Sequence, residues 1–236
     1  MVKTKRKTNL MMKRSNVFIS VLCAVVIGGM FMSNSVLKQE FEKIDLSDAY
    51  KNYMSIDHGA YAVLDISGSN GYPIQIVQKD SSAIKVLRSR LDHFKKELRN
   101  DTLFVKFTGS NVPLDQRFNS STPYGIIIES NTLSTIISNN THNRVFDFKD
   151  SDLQVLLKGN SFMEMINCNV NTLEMDLEDS SYINFVKQNK VDSLDLKMND
   201  KSVASLQHIE FKSLHHALSD SITMVLSKDA FNKILK

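Results

Sequence analysis

Leu173-Glu174-Met175-Asp176-Leu177-Glu178-Asp179-Ser180-Ser181-Tyr182-Ile183-Asn184-Phe185 alternates apolar and polar residues on both sides of an acidic, serine-rich break. Period-two alternation marks a strand with one buried face, and Asp and Ser are residues of turns. The same pattern recurs at Leu153–Met165, Leu194–Leu206 and Leu214–Leu226, with the opening leucines 20, 21 and 20 residues apart. Leu133-Ser134-Thr135-Ile136-Ile137-Ser138-Asn139-Asn140 fits one step further back. The breaks between the two strands of each copy are Gly159-Asn160, Asp179-Ser180, Asp200-Lys201 and Asp220-Ser221. Val170, Val191 and Phe211 mark a third short strand after each pair.

A unit of this size cannot bury its inner face alone, whereas stacked units form one continuous core. The expected fold is all-β: a single-stranded β-helix-like solenoid with rungs of about 20 residues. Its inward columns are Leu153, Val155, Leu157, Leu173, Met175, Leu177, Leu194, Leu196, Met198, Leu214, Leu218 and Leu226. The pattern is not that of other coils. The apolar-Gly hexapeptide step, the Asn ladder of leucine-rich repeats and the GGxGxD calcium nonapeptide are all missing.

Working outward, residues 131–227 form the repeat solenoid and 228–236 a C-terminal capping segment. Residues 57–130 are expected as N-terminal strands that cap the coil. They include Tyr61–Ile66, Ile74–Val77, Ala83–Leu87, Thr102–Thr108 and Tyr124–Glu129. A short helix capped by Ser89 carries Leu91, Phe94 and Leu98 on one side. Asn111–Tyr124 is a loop and residues 38–56 a polar spacer or short helix.

Residues 16–37 are a transmembrane anchor or signal segment, because Val17–Met32 is apolar apart from Ser20 and Val36-Leu37 extends it. Residues 1–15 are a basic cytoplasmic head holding Lys3, Lys5, Arg6, Lys7, Lys13 and Arg14 and no acid. That asymmetry holds the N-terminus inside and sends the remainder out. Ser33-Asn34-Ser35 offers small residues for cleavage. Two outcomes stay open: an inner-membrane protein with a periplasmic domain, or a protein released to the periplasm or cell surface.

The formal charge of +3 misleads, since it comes from the head. The chain beyond Leu37 carries 23 basic and 26 acidic residues, with no basic stripe, which argues against nucleic acid as a partner. The expected partners are the membrane, through residues 16–37, and an envelope protein or glycan. Cys23 lies in the apolar run, leaving Cys168 as a lone buried thiol without a disulfide. No metal, cofactor or catalytic residue is expected. Glu174 and Asp195 share an outward column beside Asp176 and Lys197, but exposed acids on a coil are ordinary. His215-His216 point to opposite faces. The candidate binding ledge is the polar corner: Asp179, Ser180, Ser181, Asp200, Ser202, Asp220 and Ser221.

The chain resembles the GIN-type head domain of "putative autotransporter adhesins", a bacterial exported family. Three features in order carry the likeness: Ile74–Asp80, Asn100–Val105 and the Leu-x-apolar-x-Leu-x-Gly/Asp-x-Ser units over Leu153–Leu226. It covers roughly residues 55–227. Family corners show Ser-Gly-Ala; here only Lys158-Gly159-Asn160-Ser161 approaches that. The resemblance implies a β-helix-like fold at the surface or in the periplasm, and brings no binding residues with it. Blotting the mature protein from a membrane fraction separates anchor from signal: a retained helix gives the full-length band, and loss of residues 1–35 removes the anchor.

Overall fold

The computed structural model describes residues 14–43, 49–68, 73–108, 123–228 and 230–231. The chain divides into two compact units, Met1–Lys51 and Asn52–Lys236. The first contains one helix, α1 (Arg14–Glu42), of 29 residues. At about 1.5 Å per residue it is roughly 40 Å long, enough to cross a bilayer. Its Val, Ile, Leu, Met and Phe side chains are exposed on all sides. The helix outlasts the apolar run, continuing through Lys38, whose ammonium lies 3.8 Å from Glu42.

The second unit is a two-sheet β-solenoid. Five successive turns come from the repeat region: β8 (Thr135–Asn139) and β9 (His142–Phe146), β10 (Asp152–Lys158) and β11 (Phe162–Ile166), β12 (Asn169–Leu177) and β13 (Tyr182–Val186), β14 (Asn189–Met198) and β15 (Val203–Leu206), β16 (Ile209–Leu218) and β17 (Thr223–Leu226). The first strand of each pair joins one sheet, here the long-strand sheet. The second joins the short-strand sheet. All these ladders are parallel, and like residues align: Leu153 with Leu173, Leu173 with Leu194, Leu194 with Leu214. The third strand expected at Val170, Val191 and Phe211 is instead the leading part of β12, β14 and β16. A break in alternation separates it from the rest: Asn171 and Asp192 drop out of the β12–β14 register.

The N-terminal strands do more than cap. β1 (Tyr53–Ile56), β2 (Val63–Ser67), β3 (Ile74–Gln78), β4 (Ala83–Leu87), β5 (Phe94–Arg99), β6 (Thr102–Phe107) and β7 (Ile126–Ser130) precede the repeat. β2 and β3 form a full parallel turn that pairs with β8 and β9. β6 and β7 form another on the far side of it. The chain therefore lays its second turn outside its first, then returns to wind the other five. Among the described strands only β1, β4 and β5 pair antiparallel, and they close that end. β1 occupies the tail of the expected spacer.

The helix expected after Ser89 is absent. A short 3-10 turn spans Arg88–His93, and Phe94 and Leu98 lie in β5 opposite Phe107 and Leu103. Residues four apart share a face in either a helix or a strand, so that pattern could not separate the two. The Asn111–Tyr124 loop lies mostly outside the described residues. At the other end Lys228, Ala230 and Phe231 are helical; the Ala230 amide donates to Ser227 Oγ (3.1 Å), and Ala230 joins the core. The rest of the expected cap lies outside the described residues.

Leu153, Val155, Leu157, Leu173, Met175, Leu177, Leu194, Leu196 and Met198 are buried. Leu214 and Leu226 are only partly buried, and Leu218 is 38% exposed, which corrects its placement in the core. Each belongs to the terminal turn, which among the described residues has a neighbouring strand on one side only. Leu177→Ala or Leu196→Ala is expected to cost about 2–5 kcal/mol in denaturant unfolding, and Leu218→Ala under about 1 kcal/mol.

Candidate binding surfaces

The polar corner is built by turn chemistry. Asn140, Gly159, Asp179 and Asp200 all have positive φ, from 51° to 62°. Gly159 has a second constraint: a Cβ there would lie 2.6 Å from Asn140 Oδ1, the atom that accepts from the Asn160 amide at 3.0 Å. Asp179 Oδ2 accepts from the Gly159 amide of the preceding turn (2.8 Å), so this carboxylate braces a neighbouring corner. Asp179, Ser180, Asp200, Asp220 and Ser221 are exposed. Ser181 and Ser202 are fully buried and do not belong to an outer ledge. Each closes its turn, its amide donating to Glu178 O (3.2 Å) or Asn199 O (3.1 Å), and this swings the side chain inward. With Thr141 and Ser161 they form a buried hydroxyl column; Ser161 Oγ donates to Lys158 O (2.6 Å).

The opposite corner was not foreseen. Asn189 is buried, its Oδ1 accepting from the Cys168 amide (2.9 Å). Its Nδ2 lies within hydrogen-bonding reach of the carbonyls of Val186 (3.1 Å), Lys187 (3.3 Å) and His208 (3.2 Å). One amide thus joins three successive turns. Its position after the positive-φ Lys187, where Phe148 and Cys168 stand in earlier turns, was the available signal.

The two outward faces differ. On the long-strand sheet, Glu174 aligns with Asp195 on the next strand, and Gln154 Nε2 approaches Glu174 Oε2 at 3.4 Å. Lys197 Nζ pairs with Asp176 Oδ2 at 3.0 Å. Gln154, Glu174, Met175, Asp176, Asp195 and Lys197 line a shallow, open depression. Glu174 and Asp195 are exposed, so water surrounds both carboxylates. His215 and His216 are also exposed, and among the described residues no three metal-binding side chains converge.

The short-strand sheet turns a half-buried aromatic face outward. His142, Phe162 and Tyr182 occupy one register column. The His142 and Phe162 rings meet edge-on at 4.5 Å; Phe162 and Tyr182 stack at 5.0 Å, 29° apart. The next column carries the Arg144 Nε–Glu164 Oε2 ion pair (2.6 Å), followed by Asn184. Beyond it lie Phe146, Ile166 and Val186. The 20-residue spacing of Phe162 and Tyr182 was legible in the sequence, but alternation assigned these residues to the solvent side.

Two titratable groups, the buried Cys168 and the half-buried His142, are held neutral. Burial pushes the Cys168 thiol up to about 11, and burial, aided by Arg144, pushes His142 down to about 4.

Comparison with family models finds no match, and comparison with curated proteins finds none. Solved structures do match. A "putative adhesin" from Parabacteroides distasonis ATCC 8503 is 12% identical, covers 73% of this chain and 71% of its own, and superposes with a TM-score of 0.54. A "putative adhesin" from Bacteroides fragilis NCTC 9343 is 10% identical, covering 75% of this chain and 98% of its own, at a TM-score of 0.36. A "putative lipid binding protein" from P. distasonis is 11% identical over 75% of this chain and 98% of its own, at 0.25. The first comparison establishes a shared fold: the chain is a β-solenoid preceded by an apolar helix. The other two scores are too low to add weight.

In the native state His142 resists the proton that it takes readily when unfolded. Stability is therefore expected to fall as pH drops from about 6.5 to about 4, by up to roughly 3 kcal/mol. His142→Phe should flatten that slope in urea titrations at pH 7 and pH 4.5. Thiol labelling at pH 7.5 should leave Cys168 unmodified until the protein is denatured.

Proposed function

We propose that the chain is a non-enzymatic, extracytoplasmic binding module of the cell envelope, with a protein partner seated on the aromatic face of the short-strand sheet. The observation that carries this is the composition of that face. Tyr182, Phe162, Phe146 and Arg144 are half-buried and are residue types that concentrate binding energy at protein interfaces. The other outward face is charged and solvated. Its acids lie in an open depression with no enclosed cleft, which favours binding over catalysis. A carbohydrate-active enzyme is the weakest reading.

Residues 16–37 would hold the module at the inner membrane, with the coil in the periplasm. Support comes from α1, which runs unbroken through Ser33-Asn34-Ser35, where signal cleavage would need an accessible extended segment. A structural or signalling role beside other envelope proteins follows naturally from a retained helix and is the second reading. The likeness to GIN-type head domains agrees with the fold and adds no ligand.

The test is a parallel screen of the full-length chain against glycans and purified envelope proteins. Binding to one protein, weakened at least about tenfold by Asn184→Arg or Tyr182→Glu with thermal stability retained, is expected. Glycan binding untouched by both substitutions would overturn the assignment.

A further inference from the structure

The two ends of the coil are finished differently. At one end antiparallel strands close both sheets, and the outer strand β5 carries exposed Lys95, Lys96 and Arg99. Charges of this kind on an edge strand discourage further pairing. At the other end β16 and β17 are the last strands of their sheets, and among the described residues nothing pairs with their outer edges. β16 is ten residues long. Its core-side positions are uncovered: Leu214 is partly buried, His216 is exposed, and Leu218 is 38% exposed. On β17 Met224 and Leu226 are partly buried and Val225 is 40% exposed.

We propose that this end pairs with the same end of a second copy, giving a two-fold symmetric dimer in which both sheets continue across the junction. An occupant must offer two strand edges at once, one for each sheet, at the separation fixed by the coil. A second copy turned about a two-fold axis does so by construction.

The register supports the same partner. Residues directly opposite in an antiparallel pair share a face. Centring the β16 pair on His216 sets Leu214 against Leu218 of the partner, and Leu218 against its Leu214, so the apolar column runs on. Centring the β17 pair on Val225 sets Met224 against the partner's Leu226. These two centres belong to one axis. His216 is the third residue before the corner that ends β16, and Val225 the third after it, where β17 begins. A single two-fold axis normal to the sheets can therefore pass through both. The proposal stands on the coil end and is independent of what binds the aromatic face.

The test uses the full-length chain with Cys23→Ser, purified in detergent, leaving Cys168 in its buried site. His216→Cys and Val225→Cys are each expected to give a disulfide-linked dimer on mild oxidation. The yield should exceed that of Asp179→Cys, an exposed mid-coil corner, by on the order of tenfold, since only axis positions bring identical Cβ atoms within bonding range. Light scattering should show a dimer that Leu218→Lys converts to monomer with its circular dichroism unchanged. A monomer at micromolar concentration overturns the proposal, whether the chain's own last residues or a different protein covers the edge. So does equal cross-linking at residue 179, or a dimer that survives Leu218→Lys.

Discussion

Parallel register between successive turns is the constraint from which the rest of the coil follows. Backbone hydrogen bonds fix each strand about 4.8 Å from the next, so every side chain sits over its equivalent one turn earlier. A residue placed inward in one turn requires an apolar residue at the same position in the next. Leu153, Leu173 and Leu194 meet that requirement, as do Leu157, Leu177 and Met198. A slip of one residue would turn every leucine to water, so the register is strongly specified wherever the coil is closed.

Corners are where this constraint costs most, because the chain reverses within a few residues and its polar backbone turns toward the core. The structure answers in two ways. Asn and Asp take most of the positive-φ positions, and their side chains reach neighbouring turns: Asp179 Oδ2 accepts from the Gly159 amide, and Asn167 Nδ2 donates to Asp147 Oδ1. The two corners fill the inside of the bend differently. One corner fills it with hydroxyls at Thr141, Ser161, Ser181 and Ser202, the other with Phe148, Cys168 and the bracing amide of Asn189. Among the described residues the Ser181 and Ser202 hydroxyls have no hydrogen-bond partner. Polarity at those positions is therefore tolerated for its small size.

With the interior committed to packing, function is left to the outer surfaces. The alternation that buries one residue exposes the next, and stacking arranges the exposed ones into columns too. On the long-strand sheet the columns are charged and hydrated. On the short-strand sheet the Phe162 and Tyr182 rings stack and an Arg144–Glu164 ion pair links adjacent turns. The ends are a third kind of surface, where the stacking rule is unmet on one side.

Local pattern sufficed for much of this. The spacing of Leu173, Leu194 and Leu214 determined a coil, its inward columns and the corner residues, because each depends on near neighbours and on repetition. The apolar run after a basic head likewise marked α1. Tertiary structure alone decided the order of turns. Nothing local distinguishes the strand of Val63–Ser67 from that of Thr102–Phe107, yet one lies between two turns and the other beyond them. The fates of Phe94, Leu98 and Leu218 also depended on partners far away in sequence. A face is buried only when another strand lies over it, and a single strand carries no record of where the stack ends.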